Sequence, residues 1–74
     1  MWLITITCSA DAWKQLGTQL LAIADKYSAV SVSSKKMADG KRTMEYKIED
    51  VSDAEAFVAE CQQLEGFAAS FESL

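Results

Sequence analysis

Hydrophobic and polar residues alternate at the start of the chain, in the stretch WLITITC at residues 2–8. Successive side chains of a strand point to opposite faces, so the even-numbered residues from Trp2 to Cys8 share one face. After Ser9 the apolar residues recur every three or four positions, which is the period of a helix with one buried stripe. That stripe comprises Trp13, Leu16, Leu20, Ile23, Ala24 and Tyr27. The pattern predicts a first strand followed by a helix that Ser9 caps.

The second half of the chain contains two more alternating stretches and one more helical stripe. AVSVSSKKM and RTMEYKIE flank Asp39-Gly40, which is a sequence signal for a β-hairpin. Ser52 and Glu55 have the spacing of a capping box, and Gly66 is a typical helix stop. The stripe between them comprises Ala54, Phe57, Val58, Cys61 and Leu64. FAASFESL, at the end of the chain, is predicted to form the last strand.

The predicted element order is therefore βαββαβ. Because βαβ crossovers are right-handed, this order most simply gives a four-stranded antiparallel sheet in the order 4-1-3-2, with both helices on one face. That arrangement is the α+β ferredoxin-like sandwich. The 74 residues contain no proline and no linker or repeat, so we expect a single domain over residues 1–74.

The register of the hairpin follows from keeping its apolar residues together. A two-residue turn would set the valines of the second strand against charged residues, which mixes the two faces. A three-residue loop that ends on a left-handed Gly40 instead pairs Val32 with Tyr46 and Val30 with Ile48. We therefore expect both valines on the helix side of the sheet.

The same register sets Lys36 directly opposite Arg42 on the helix side. Like charges that face each other on neighbouring strands are mildly destabilising unless they splay apart or hold an anion. We expect this pair to bind a sulfate, a phosphate or a partner's carboxylate, or else to splay into solvent.

Charge is distributed unevenly along the chain, whose formal net charge is −4. Residues 35–47 contain five basic and two acidic residues, whereas residues 48–74 contain seven acidic residues and no basic one. The fold would place these segments at opposite ends, which gives a basic hairpin tip and an acidic pole. The predicted acidic pole comprises Asp50, Asp53, Glu55 and Glu60.

Several kinds of chemistry have no support in the sequence. The chain has no histidine, its three glycines form no phosphate-binding loop, and Cys8 and Cys61 lack the spacing of a metal site or redox pair. We therefore expect no catalytic residue, no metal and no cofactor, and we predict that the protein is not an enzyme. The open face of the predicted sheet carries no aromatic platform in its central strands, so nucleic-acid binding is not expected.

The first eight residues lack a basic lead-in and are too short for a signal peptide's apolar region or a membrane span. We expect a cytoplasmic protein that does not bind membranes.

The pattern of strands and helices resembles that of small ferredoxin-like modules, including ACT-type ligand sensors. It also resembles the maturation chaperones of periplasmic nitrate reductase from the hairpin through VSDAEAFVAECQQLEGFAAS, where a short capped helix leads into the last strand. This pattern is common to the fold and identifies no specific family. The resemblance implies a small binding domain.

These observations predict a non-enzymatic protein-binding or regulatory module that forms a homodimer or binds another protein. An edge strand can pair with a further strand, and a charged hairpin adds polar contacts. The predicted contact residues are Ser31, Ser33, Lys35, Lys36, Lys41 and Arg42. Two alternatives stay open: a small acidic inhibitor of the kind that phages encode, which would block a basic nucleic-acid site through the acidic pole, and an ACT-like small-molecule sensor.

Overall fold

The computed structural model describes residues 1–74 and has six secondary-structure elements in the order βαββαβ. They are β1 (Trp2–Cys8), α1 (Ala10–Lys26), β2 (Val30–Lys36), β3 (Arg42–Ile48), α2 (Val51–Gln63) and β4 (Phe67–Ser73). The strands form one antiparallel sheet in the order β2-β3-β1-β4. The predicted ferredoxin-like topology is confirmed.

The core lies between the helices and one face of the central strands. The even-numbered residues from Ile4 to Cys8 and from Met44 to Ile48 are buried there, as the alternation predicted. Phe57 of α2 lies at the centre of the core, with its ring stacked on Tyr27 and edge-on to Tyr46. No polar or charged residue is buried, so apolar burial and backbone hydrogen bonds account for most of the stability.

The hairpin turn has the predicted three-residue form. Met37 N–H donates to the Lys41 carbonyl at 2.6 Å, and Gly40 N–H donates to the Met37 carbonyl at 3.0 Å. Gly40 has φ of 90°, a left-handed conformation that glycine adopts without steric cost. Lys36 lies opposite Arg42, so this part of the predicted register is confirmed.

Beyond this point the predicted register is wrong, because β2 contains a bulge. The pairing shifts between Ser31 and Ser33, so that Val32 has no partner and Val30 lies opposite Lys47. Ser31 now lies opposite Tyr46, on the helix side and not beside Ser33 on the open face. Both valines are exposed, Val30 by 63% and Val32 by 47%. A strand with one neighbour accommodates an extra residue more readily than a strand paired on both sides.

The predicted N-terminal cap is correct for α1 and wrong for α2. The Ser9 hydroxyl accepts from Ala12 N–H at 3.1 Å, which confirms the predicted cap of α1. The predicted capping box at Ser52 is wrong, since α2 begins at Val51 and the Asp50 carboxylate accepts from Ser52 N–H at 2.7 Å. Aspartate is as good a cap as serine, and its charge also favours the positive end of the helix dipole.

Candidate functional site

Trp13 and Arg42 join the first helix to the hairpin at one end of the molecule. Gly17 lies one turn after Trp13, and a Cβ there would lie only 3.1 Å from Cδ2 of the indole. The missing Cβ therefore lets the ring lie close against α1. The guanidinium of Arg42 lies over the ring in this position. Its Cζ is 4.6 Å from the ring centroid, a distance typical of a cation–π interaction.

A pocket of about 170 Å³ lies beside this stack and carries three positive charges. Lys36 and Arg42 reach it from neighbouring strands, and Lys14 reaches it from the first turns of α1. Ala10, Trp13 and Gly40 complete the lining, which includes no carboxylate. The structure thus adds Lys14 and Trp13 to the pair that the register predicted.

Three of the remaining predicted contact residues, Ser33, Lys35 and Lys41, lie on the opposite face of the sheet, whereas Ser31 lies on the helix side. Lys35 is paired with Thr43, and Lys41 lines a separate, shallow pocket of about 440 Å³ together with Thr7 and Thr43. Ser33 donates to the Glu45 carboxylate at 2.7 Å on this same face. The six predicted contact residues therefore form two groups that the sheet separates.

The four residues of the predicted acidic pole differ in their local contacts. Glu60 accepts hydrogen bonds from Tyr27 and from Lys26, whose Nζ lies 3.2 Å from its Oε1, and this is the only salt bridge in the structure. The hydrogen bond from Tyr27, followed by that from Lys26, lowers the pKa of Glu60. Glu60 therefore connects the two helices.

The other three acids lie at or near the beginning of α2. Asp50 caps the helix, and together with Asp53 it lines a mixed pocket of about 390 Å³ that also includes Lys47. Glu55 is exposed. The predicted pole thus contains one acid in a salt bridge, Glu60, and three that form none.

The two cysteines are buried free thiols in the core. Burial raises the pKa of Cys61 to about 12. Burial also raises the pKa of Cys8, although the nearby Arg42 charge opposes the shift. Since the thiolate is the nucleophile, neither residue is poised for reaction near neutral pH. No group of three or more potential metal-ligating side chains occurs in the structure.

No known protein-family model matches the chain, and no curated protein sequence is similar to it. Solved structures do resemble it. The uncharacterized protein TM1266 from Thermotoga maritima is 14% identical with a TM-score of 0.77, over 99% of this chain and 94% of that one. The ACT domain from GTP pyrophosphokinase of Chlorobium tepidum is 11% identical with a TM-score of 0.70, over 96% and 95%.

The C-terminal domain of the MgtC protein from Mycobacterium tuberculosis is also similar, with 13% identity and a TM-score of 0.66, over 96% of this chain and 83% of that one. At such identities the likeness shows the ferredoxin-like fold alone. Neither helix is long and apolar enough to cross a bilayer.

Proposed function

We propose that this chain is a protein-binding module that pairs through the free edge of β2, in the first instance with a second copy of itself. The observation that supports the proposal is the exposure of this strand, none of whose seven residues is buried. An edge strand presents unpaired backbone donors and acceptors that can extend the sheet by one more strand. Here the exposed Val30 and Val32 add apolar surface to the same edge.

The opposite edge of the sheet is partly covered and is therefore the weaker candidate. The side chain of Gln62 in α2 donates to the Ala69 carbonyl of β4 at 3.0 Å. No side chain of either helix donates a hydrogen bond to a backbone carbonyl of β2. The difference favours β2 as the pairing edge.

The charges on β2 favour an antiparallel, two-fold arrangement. Lys35 and Lys36 lie at one end of the strand, so parallel pairing would set the lysines of two copies side by side. Antiparallel pairing keeps them apart and gives a closed dimer in which both copies use the same surface. A domain of this size buries only about 60% of its unfolded surface, so the extra burial in a dimer would stabilise it.

Sedimentation velocity over a range of concentrations tests this proposal. We expect the wild-type protein to dimerise and the double variant Val30→Lys/Val32→Lys to remain monomeric. The matched control is Leu21→Lys/Leu74→Lys, which adds the same charge at residues that are also exposed but lie outside β2. A wild-type protein that stays monomeric at every concentration, or a control that dissociates equally, would contradict self-pairing through β2.

A further inference from the structure

We infer that the pocket between the hairpin and α1 binds a small phosphate-bearing ligand, an inference that does not depend on whether β2 pairs with another strand. The inference rests on three cationic side chains, those of Lys14, Lys36 and Arg42, which line one pocket of about 170 Å³. Cations that converge in this way repel one another unless an anion lies between them. No carboxylate is within 4.0 Å of any of the three, since the only salt bridge joins Lys26 to Glu60.

Arg42 is held in place before any ligand binds. Its guanidinium lies over the Trp13 ring, and its Nη1 donates to the Ser34 hydroxyl at 3.0 Å. A guanidinium has five N–H donors, so donors remain for a ligand after this bond. Because the side chain is already fixed on two sides, less conformational entropy is lost when it binds an anion.

The backbone explains why the pocket persists. Lys36 and Arg42 are held opposite each other by the three-residue turn, whose Gly40 forms part of the pocket wall. No Cβ projects from Gly40, and the nearest side-chain atom to such a Cβ would be the Ala10 methyl at 3.9 Å. The hairpin and the start of α1 therefore approach without filling the space between them.

The number and arrangement of the charges favour phosphate over carboxylate. A carboxylate carries one charge and two acceptor oxygens in one plane, which suits a single arginine. A phosphate carries close to two charges near neutral pH and has three or more oxygens in a tetrahedral arrangement. Three cations that approach from a helix and two strands match the second geometry better.

Trp13 provides a direct reporter of binding. In a Trp2→Phe background Trp13 is the only tryptophan, and its indole contacts Arg42. We would titrate this protein with inorganic phosphate, methyl phosphate and acetate at constant ionic strength, with chloride as the balancing anion. We expect a saturable change in fluorescence with the two phosphates at millimolar concentrations and at least tenfold weaker binding of acetate.

Charge-removing variants separate the pocket from the general positive field of the hairpin. Lys14→Gln and Lys36→Gln should each weaken phosphate binding about tenfold, the scale of one hydrogen bond between charged groups. Lys35→Gln and Lys41→Gln remove the same charge from the other face of the hairpin. They should change the affinity for phosphate less than twofold. Far-ultraviolet circular dichroism verifies that each variant is folded.

The comparison of the two phosphates identifies the source of the ligand. If inorganic phosphate binds more tightly than methyl phosphate, the ligand is free phosphate. If methyl phosphate binds equally or more tightly, the ligand is a phosphate monoester. Both results support the proposed site. The inference is overturned if neither phosphate gives a saturable response, if acetate binds as tightly, or if the four lysine variants weaken binding equally.

Discussion

The close approach of Gly66 to Ala12 gives a stability prediction whose size can be worked out from the structure. Gly66 has φ of 87°, and an ideal Cβ at this position would lie 2.8 Å from the Ala12 Cβ. Gly40 has φ of 90°, but a Cβ there would be 3.9 Å from its nearest neighbour. Gly66→Ala and Gly40→Ala therefore impose the same backbone strain, and only the first also creates a clash.

The left-handed conformation costs an alanine about 1–2 kcal/mol relative to glycine. The clash at Gly66 adds the cost of forcing atoms into a filled space, about 1–3 kcal/mol, because the Ala12 methyl cannot rotate away. Loss of chain entropy in the unfolded state offsets both substitutions equally, by about 0.4–1 kcal/mol. We therefore expect Gly66→Ala to be less stable than Gly40→Ala by about 1–3 kcal/mol.

Urea unfolding followed by tryptophan fluorescence measures this difference, and the substitution Ala12→Gly separates its two causes. In an Ala12→Gly background the clash is absent, so Gly66→Ala should lower the free energy of unfolding only as much as Gly40→Ala does. The double-mutant cycle should then give a coupling of about 1–3 kcal/mol. Equal destabilisation by the two glycine substitutions in the wild-type background, or strict additivity of Ala12→Gly and Gly66→Ala, would refute the steric explanation.

Three further predictions concern the cap, the helix bridge and the thiols. Asp50→Ala should lower the free energy of unfolding by about 1 kcal/mol, and Ser52→Ala by no more than about 0.5 kcal/mol. A larger loss of stability in Ser52→Ala than in Asp50→Ala would show that Ser52 is the cap. The hydrogen bonds from Tyr27 and Lys26 lower the pKa of Glu60 in the folded protein from its ordinary value of 4.5. The ionised Glu60 should therefore stabilise the fold fully above pH 4.5, and this stabilisation should be lost as the pH falls through the lower pKa of the folded state. Unfolding measured between pH 3 and pH 6 should therefore show a weaker pH dependence in Glu60→Gln, and an unchanged slope would contradict the bridge. Finally, Cys8 and Cys61 should not react with an aromatic disulfide reagent until the protein is denatured, and rapid reaction of the native protein would show that a thiol is accessible.

Most of the fold could be predicted because its elements carry local signals. The alternation in β1 and β3 and the three- and four-residue spacing in both helices reflect burial on one face, and burial of this kind is visible in a short window. Ser9 and Gly40 were recognised from the preferences of single residues for caps and left-handed turns. The order of the elements then left few topologies to choose from.

The errors have an equally physical origin. Val30 and Val32 alternate like core residues, but β2 has a neighbour on one side only, and the bulge turns them out of the predicted register. Asp50 and Ser52 are both good caps, so the choice between them depended on where the end of β3 places the chain. Local preference could not resolve either case.

The sequence by itself determined which residues of β1, β3 and the two helices face the core, where the chain turns, and that Lys36 lies opposite Arg42. Only the tertiary structure decided that Lys14 and Trp13 join this pair in one pocket and that Glu60 forms a salt bridge with Lys26. These contacts link residues more than twenty positions apart in the chain. The periodicity of apolar residues shows which face of a single helix or strand is buried. A site between elements depends instead on how those elements pack together.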